Sequence, residues 1–274
     1  VRILFLGDIV GTPGMTLVRK AVPKLRKHWQ LDAVVVNAEN AYHGSGLTPS
    51  LYRQLKEVGV DGITMGDHIY KKSDLIKILL ETNCIVKPAN YPDEAPGAAL
   101  GILPIGSRGF LAIVSVMGRS FMRAVDCPFQ AIDRVLAQIP TPVKCILVDV
   151  HAEATADKYL MFRYLDGRVS AVLGTHTHVA TADEQISPQG TAFQCDVGMC
   201  GPHNGIIGRM TERVLSHAIT FVPISFEVAT GDVRLNGALL EVNEQTGKAT
   251  SIKRVRLEDS QFAEDVTPPN LEEL

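Results

Sequence analysis

The sequence predicts an α/β fold built on parallel strands, and three features carry that expectation. Short β-branched runs recur along the chain with helix-like segments between them, the rhythm of βαβ units. Five of these runs end in acidic, amide or imidazole residues, at the strand ends where open α/β sheets bind ligands. No Gly/Ser or charge-block linker interrupts the 274 residues, a length that one large α/β domain fills.

The first run, Ile3 to Leu6, is strand-like and leads into Gly7-Asp8-Ile9-Val10-Gly11. Pro13 opens a helix to about His28, because Leu17, Val18, Ala21 and Leu25 recur at helical spacing. Ala33 to Val36 is a second strand, closed by Asn37-Ala38-Glu39-Asn40. Thr48 and Pro49 supply a cap and first turn for a helix through Val58. Gly62 to Met65 forms a third strand before Gly66-Asp67-His68, and Ser73 is placed to cap the next helix. Cys84 to Val86 reads as a strand, Lys87 to Pro96 as a proline-rich loop, and Ala99 to Met117 as two strands joined at Gly106-Ser107-Arg108-Gly109. A helix over Pro128 to Gln138 leads to the apolar strand Lys144 to Val150 and then to His151-Ala152-Glu153. Another helix, Thr155 to about Leu165, precedes the β-branched run Val169 to Leu173. Thr191 to Cys195 reads as a strand, Gly205 to Ile219 as a helix, and Val222 to Leu257 as antiparallel strands turning at 230–232 and 245–247. The expected domain is therefore 1–257, followed by an acidic, loosely ordered tail over 258–274 that contains Pro268-Pro269.

Composition narrows the function. A formal net charge of −3 with scattered Lys and Arg gives no basic field for a long nucleic-acid backbone, while a small anionic ligand stays open. Five cysteines, Cys84, Cys127, Cys145, Cys195 and Cys200, show no C-x-x-C spacing, and several sit in apolar runs. That usage points to thiols in a reducing cytoplasm. No apolar run of about 18 residues is present to cross a membrane, and no charged and apolar leader precedes Arg2. The expectation is a soluble cytoplasmic protein with a small-molecule partner, and a homo-oligomer stays open.

In Gly174-Thr175-His176-Thr177-His178, two imidazoles two residues apart would project to the same side of extended backbone, a ready pair of metal ligands. Collecting the strand ends gives Asp8, Glu39, Asn40, Asp67, His68, His151, His176 and His178. Each alone has an ordinary structural reading: a helix or turn cap for Asp8 and Asp67, loop positions for Glu39 and Asn40, a backbone-bonded buried imidazole for His151. Five strand ends converging on such residue types suit two adjacent transition metals. Oxygen ligands alone would indicate magnesium or calcium, whereas three imidazoles favour manganese, iron, zinc or cobalt.

The blocks Gly7-Asp8, Gly66-Asp67-His68, His151 and Gly174-Thr175-His176-Thr177-His178 resemble those of calcineurin-like metallophosphoesterases. The strings GDIVG (7–11), NAEN (37–40), PANYP (88–92), MGRSFM (117–122), DVHAEAT (149–155), GTHTHVATADE (174–184) and DVGMCGP (196–202) resemble the YmdB-type bacterial branch, associated with 2′,3′-cyclic nucleotide phosphodiesterase activity. The resemblance spans the chain to about Leu257 and implies a four-layer α/β/β/α sandwich with a dinuclear site at the strand ends. It implies that Glu39 bridges two divalent or mixed-valence transition ions, iron or manganese ahead of zinc. Asp8, Asn40 and His178 would complete one side, Asp67, His151 and His176 the other, with His68 beside the metals. Two positions depart from the wider superfamily: Val10 stands where Asp-x-His is usual, so that side must use Asn40 or water, and Asp67 stands in the usual Gly-Asn-His.

The implied reaction is hydrolysis of small phosphodiesters. Paired cations make hydroxide available near neutral pH and neutralise phosphoryl oxygens. His68 would protonate the departing ribose oxygen, general-acid work typically worth about 10²–10⁴-fold. His43, Arg119 and Phe121 are further candidates for substrate contact, the guanidinium meeting phosphate and the ring meeting base. Thr177 and Asp183 are candidates for orienting imidazoles. Two other readings stay open. A catalytically weak metal-binding regulator of the same fold would fail to turn over 2′,3′-cyclic AMP, and a barrel amidohydrolase would carry His-x-His on its first strand, where this chain has Asp8.

Overall fold

The computed structural model describes residues 1–274. In chain order its strands are β1 (Arg2–Leu6), β2 (Asp8–Ile9), β3 (Ala33–Asn37), β4 (Gly62–Thr64), β5 (Ile85–Val86), β6 (Leu100–Pro104), β7 (Phe110–Met117), β8 (Cys145–His151), β9 (Ala171–Thr175), β10 (Gln185–Ile186), β11 (Ala192–Gln194), β12 (Met199–Pro202), β13 (Val233–Val242) and β14 (Ala249–Glu258). The helices are α1 (Gly11–His28), α2 (Pro49–Glu57), α3 (Ile76–Glu81), α4 (Pro128–Leu136), α5 (Thr155–Leu165) and α6 (Thr211–Thr220). The larger sheet runs β2-β12-β13-β1-β3-β4-β5 with β14 beside β13, and the smaller runs β10-β11-β9-β8-β7-β6.

Strands buried on both faces read as continuous apolar runs, and their alternation decides the layers. Ile3, Phe5 and Val35 of the larger sheet face Leu111, Ile113, Leu147 and Leu173 of the smaller one. Leu4, Leu6, Val34 and Val36 point the other way, onto Leu17, Val18, Ala21 and Leu25 of α1. On the far side, Val114, Val116, Val148 and Val150 meet Ile132 and Val135 of α4 and Met161, Phe162 and Leu165 of α5. The expected four-layer α/β/β/α sandwich is the observed one. Strands β1, β3, β4 and β5 run parallel, as do β7, β8, β9 and β11.

Several local expectations change. Thr48 caps α2 as read, its hydroxyl accepting from Leu51 N at 3.3 Å, but Ser73 instead begins a 3₁₀ turn that runs into α3 without a side-chain cap. The helix expected from Gly205 starts only at Thr211, because Ile206 and Arg209 exchange two backbone hydrogen bonds of 2.9 Å across a tight turn. A helix would break both. The antiparallel segment shrinks to the hairpin β13–β14, and β13 enters the middle of the larger sheet between β12 and β1. The stretch 222–232 pairs only through a bridge between Arg209 and Val228. No helix is long and apolar enough to cross a membrane.

The segment expected to be a loose tail lies against α1. Phe262 is buried with Trp29 in the α1-side core, Trp29 Nε1 donates to Pro269 O at 2.8 Å, and Lys20 pairs with Asp259 at 2.9 Å. Two aromatic anchors outweigh the local acidity and the prolines. Phe262→Ala is expected to lower the unfolding free energy by about 3–5 kcal/mol, read as a shift of the urea midpoint; an unchanged midpoint would show the tail detached in solution.

Candidate metal centre

The parallel strands of both sheets deliver their following residues to one edge. Asp8 follows β1, Glu39 and Asn40 follow β3, Asp67 and His68 follow β4, His151 ends β8, and His176 and His178 follow β9. All eight meet there. Asn40 Nδ2 lies 3.3 Å from Asp8 Oδ1, 3.3 Å from Glu39 Oε1 and 3.2 Å from His178 Nε2. His151 Nε2 lies 3.2 Å from Glu39 Oε1, 3.3 Å from Asp67 Oδ1 and 3.1 Å from His176 Nδ1. Glu39 Oε1 therefore belongs to both groups. His68 stands alongside, its backbone N–H donating to Glu39 Oε2 at 3.1 Å and its Nδ1 2.7 Å from Asn40 Oδ1.

The two histidines of the His-x-His stretch do not sit on extended backbone. β9 ends at Thr175, and His176 and His178 take φ values of +94° and +66°. Their rings consequently part, His176 toward His151 and His178 toward Asn40. Thr177 between them turns inward, its N–H and hydroxyl both donating to Asp196 Oδ2 at 3.1 and 2.8 Å. Asp196 is in turn held by the buried Lys158, 2.7 Å away. Gly174 is required before this turn, since a Cβ there would run into Cys195 O.

Hydrogen bonds on the outer nitrogens decide how each imidazole presents itself. The Thr175 hydroxyl donates to Asp149 Oδ1 at 2.7 Å and so accepts from His151 Nδ1 at 2.8 Å. His178 Nδ1 faces Ile207 O at 3.0 Å, and His176 Nε2 faces Glu153 Oε2 at 3.2 Å. Carbonyl and carboxylate oxygens only accept. In each neutral ring the proton thus sits outside and the lone pair faces the cluster, the form in which imidazole binds a metal.

A polar layer beneath the cluster was passed over in the sequence. Asn37 Nδ2 and the Thr64 hydroxyl both donate to Asp149 Oδ2, and Asn37 Oδ1 accepts from Glu39 N at 3.1 Å. These residues look like filler within apolar runs. The available signal is that Asn37, Thr64 and Thr175 are each the last residue of an otherwise apolar strand. Gly66 matters sterically, because a Cβ there would collide with the His151 ring.

Electrostatics match the geometry. Burial pushes Glu39 up, but His151 beside it outweighs burial and holds the carboxyl below its usual range. Asp67 behaves likewise, burial opposed by its hydrogen bond to His151. Burial opposes charge on His151, yet Glu39, Asp67 and Asp8 keep its pKa well above the ordinary imidazole value. Burial pushes Asp149 up to about 6. Protonation of His151 and cation binding therefore compete for the same lone pair.

The donor set fits metal. Asn40 Nδ2 has two hydrogens for the three acceptors that face it; with the amide turned over, Oδ1 would join Asp8, Glu39 and His178 as a fourth acceptor. Glu39, Asp67, His151 and His176 each offer one ligand atom, all within 4.8 Å of one another. Mixed carboxylate and imidazole donors suit first-row transition ions.

The other candidates lie outside the cluster. His43 is exposed at φ +50°, and its carbonyl accepts from Arg209 Nη1 at 3.1 Å. Arg119 and Phe121 belong to the loop after β7, which Asp157 ties down by accepting from the backbone of Arg119 and Ser120. Both side chains face solvent, Phe121 at 92 % exposure. Thr177 and Asp183 bond to Asp196 and Tyr159 and reach no imidazole.

Two facing sheets with helices on both outer faces make up the calcineurin-like phosphoesterase fold. The structure of the calcineurin-like phosphoesterase YfkN from Bacillus subtilis superposes with a TM-score of 0.53 at 12% identity, over 98% of this chain and 93% of that one. Within that fold the chain belongs to the YmdB-like protein family, whose family model matches residues 4–255. It is 41% identical over 258 residues to the 2′,3′-cyclic-nucleotide 2′-phosphodiesterase of Bacillus subtilis (strain 168), covering 94% of this chain and 97% of that protein. A crystal structure of a hypothetical protein from Thermus thermophilus is 41% identical with a TM-score of 0.88, over 94% of this chain and 99% of that one.

Thr175→Val keeps the shape of the side chain and removes the hydroxyl that orients His151. It is expected to weaken metal affinity about 10–100-fold, measured by competition with a chromogenic chelator. Unchanged affinity would show that His151 is oriented without the Asp149–Thr175 link.

Proposed function

We propose that this chain is a metal-dependent phosphodiesterase that hydrolyses small phosphodiesters, with 2′,3′-cyclic nucleotides as substrates, at a centre of two transition-metal ions. The observation that carries this reading is the position of Glu39 Oε1 in both ligand groups, 3.3 Å from Asn40 Nδ2 and 3.2 Å from His151 Nε2. Asp8, Asn40 and His178 would hold one ion, Asp67, His151 and His176 the other, and Glu39 both. Iron or manganese, and also zinc, suit this mixture of nitrogen and oxygen donors. Bound there, the ions supply an acidified water and neutralise phosphoryl oxygens. The reaction named for the Bacillus subtilis relative supports the substrate class.

His68 would protonate the departing ribose oxygen. Its N–H and Nδ1 are engaged by Glu39 and Asn40, which leaves Nε2, 3.7 Å from Asp67 Oδ2, to carry the proton. About a quarter of its side chain is exposed, so a substrate can reach it. Five free thiols suit a reducing, cytoplasmic setting.

Chelation is expected to abolish turnover of 2′,3′-cyclic AMP, and Mn²⁺ or Fe²⁺ to restore it; full activity in verified metal-free protein would refute the reading. His68→Ala should keep its metal content and lose about 10²–10⁴-fold in turnover. A nitrophenyl phosphodiester, whose leaving group needs little protonation, should lose far less. Equal losses on both substrates would remove His68 from the general-acid role.

A further inference from the structure

Beside the ligand cluster lies a cavity of about 430 Å³ walled by Tyr70, Tyr91, Pro92, Arg123, Val125 and Asp126, within the range of about 300–1,000 Å³ typical of small-molecule sites. Its walls spring from residues adjoining the cluster. Tyr70 lies two residues beyond His68. The loop carrying Arg123 to Asp126 leaves β7 at Met117, which is in register with His151. Tyr91 belongs to the Pro88-Ala89-Asn90-Tyr91-Pro92 string, for which the cluster has no use. Asn90 clamps the two loops together, its Oδ1 accepting from Met117 N at 2.8 Å and its Nδ2 donating to Met117 O and Asp126 O at 2.9 and 3.1 Å.

The chemistry of the walls is specific. Tyr91 is only 5 % exposed, and its buried hydroxyl makes no well-formed hydrogen bond although the Arg123 guanidinium lies near it, a condition that folded proteins rarely leave uncorrected. Tyr70 shows the contrast, its hydroxyl donating to Pro96 O at 2.7 Å. The two rings lie 6.1 Å apart at 37°, and the Arg123 guanidinium carbon is 5.7 Å from the Tyr91 ring centroid. The walls therefore combine aromatic surface, a hydroxyl without a well-formed hydrogen bond, a guanidinium donor beside it and, at Asp126, a carboxylate acceptor. A nucleobase presents the complement: a flat π-face with donors and acceptors around its edge. Phe121, expected from sequence to meet the base, points instead into solvent.

The geometry points to this cavity as the nucleobase subsite, with Tyr91 and Arg123 as the residues that make the enzyme prefer nucleoside cyclic phosphates over base-free diesters. The inference rests on the proposed phosphodiesterase reading and extends it to substrate selection.

The test has two arms on manganese-loaded protein. In the binding arm, adenosine, which has no phosphate, is titrated into wild type, Tyr91→Phe and Arg123→Ala and followed by calorimetry. Wild type is expected to bind, and each variant to bind severalfold more weakly. Tyr91→Phe deletes only the hydroxyl, and Arg123 is exposed, so both variants should fold. Failure of wild-type protein to bind adenosine, or unchanged affinity in both variants, overturns the subsite. In the turnover arm, KM for adenosine 2′,3′-cyclic phosphate is compared with that for a methyl riboside 2,3-cyclic phosphate. Arg123→Ala and Tyr91→Ala should raise the first about tenfold more than the second, as loss of base stacking and edge contacts requires. Equal rises on both substrates overturn the inference. If neither diester is hydrolysed by wild type, the phosphodiesterase reading fails while the adenosine titration still decides the subsite.

Discussion

Concentrated carboxylate charge is the constraint on which this structure depends. Asp8 and Glu39 are fully buried, Asp67 stands next to Glu39, and the buried Asp149 lies beneath, bonded to Asn37, Thr64 and Thr175. Removing ionised carboxylates from water is costly unless they are paired or bonded. Backbone donors meet part of the need: His176 N donates to Asp8 Oδ2 at 3.1 Å and His68 N to Glu39 Oε2 at 3.1 Å. What remains is answered by His151 when its inner nitrogen is protonated, as the carboxylates around it favour, or by a cation that the carboxylates and imidazoles share. The polar order of the surrounding strand ends follows from that one requirement.

Holding the imidazoles in place falls to a second buried charge system. Left-handed backbone at non-glycine residues costs on the order of 1–3 kcal/mol each, and the chain adopts it at both His176 and His178. The Thr177 bonds to Asp196 and the Lys158–Asp196 pair over-determine that turn. A buried pair of this kind adds little stability over an apolar substitute. Its role here is geometric, since it sends two neighbouring rings to different ligand groups.

Much of this was legible in the sequence, and the parts that were not share a cause. Strand ends carrying Asp8, Glu39, Asp67, His151 and His176 could be read because ligand types stand out against apolar runs, and parallel strands bring such ends to one edge. The layer order came from family resemblance, because hydrophobic periodicity does not say which strand face meets which partner. Period-two reasoning assumed extended backbone at His176 and His178 and could not foresee positive φ imposed by Lys158 and Asp196, which are 38 residues apart. Asn37, Asp149 and Thr175 were missed because a polar residue within a buried strand gains meaning only from what lies opposite it. The helix expected from Gly205 and the loose tail failed for related reasons: the Ile206–Arg209 exchange and the seating of Phe262 beside Trp29 are tertiary facts.

The ligand cluster also crosses the boundary between the sheets. Asp8, Glu39, Asn40 and Asp67 follow strands of the larger sheet, whereas His151, His176 and His178 end or follow strands of the smaller one. Away from that edge the sheets are joined by apolar residues such as Phe5, Val35, Ile113 and Leu147, whose packing has no direction of its own. Directional bonds such as those from Asn37 and Thr64 to Asp149, together with the cluster itself, fix the two sheets at their functional edge. A cation bound by ligands from both sheets would tie them together and stabilise the folded form in proportion to its occupancy. The neighbouring cavity has the same origin, with Tyr91 beyond β5 on one sheet and Arg123 beyond β7 on the other. Relative placement of the sheets therefore governs both the ligand distances and the width of the cavity, so core packing far from the edge sets the dimensions of the chemistry.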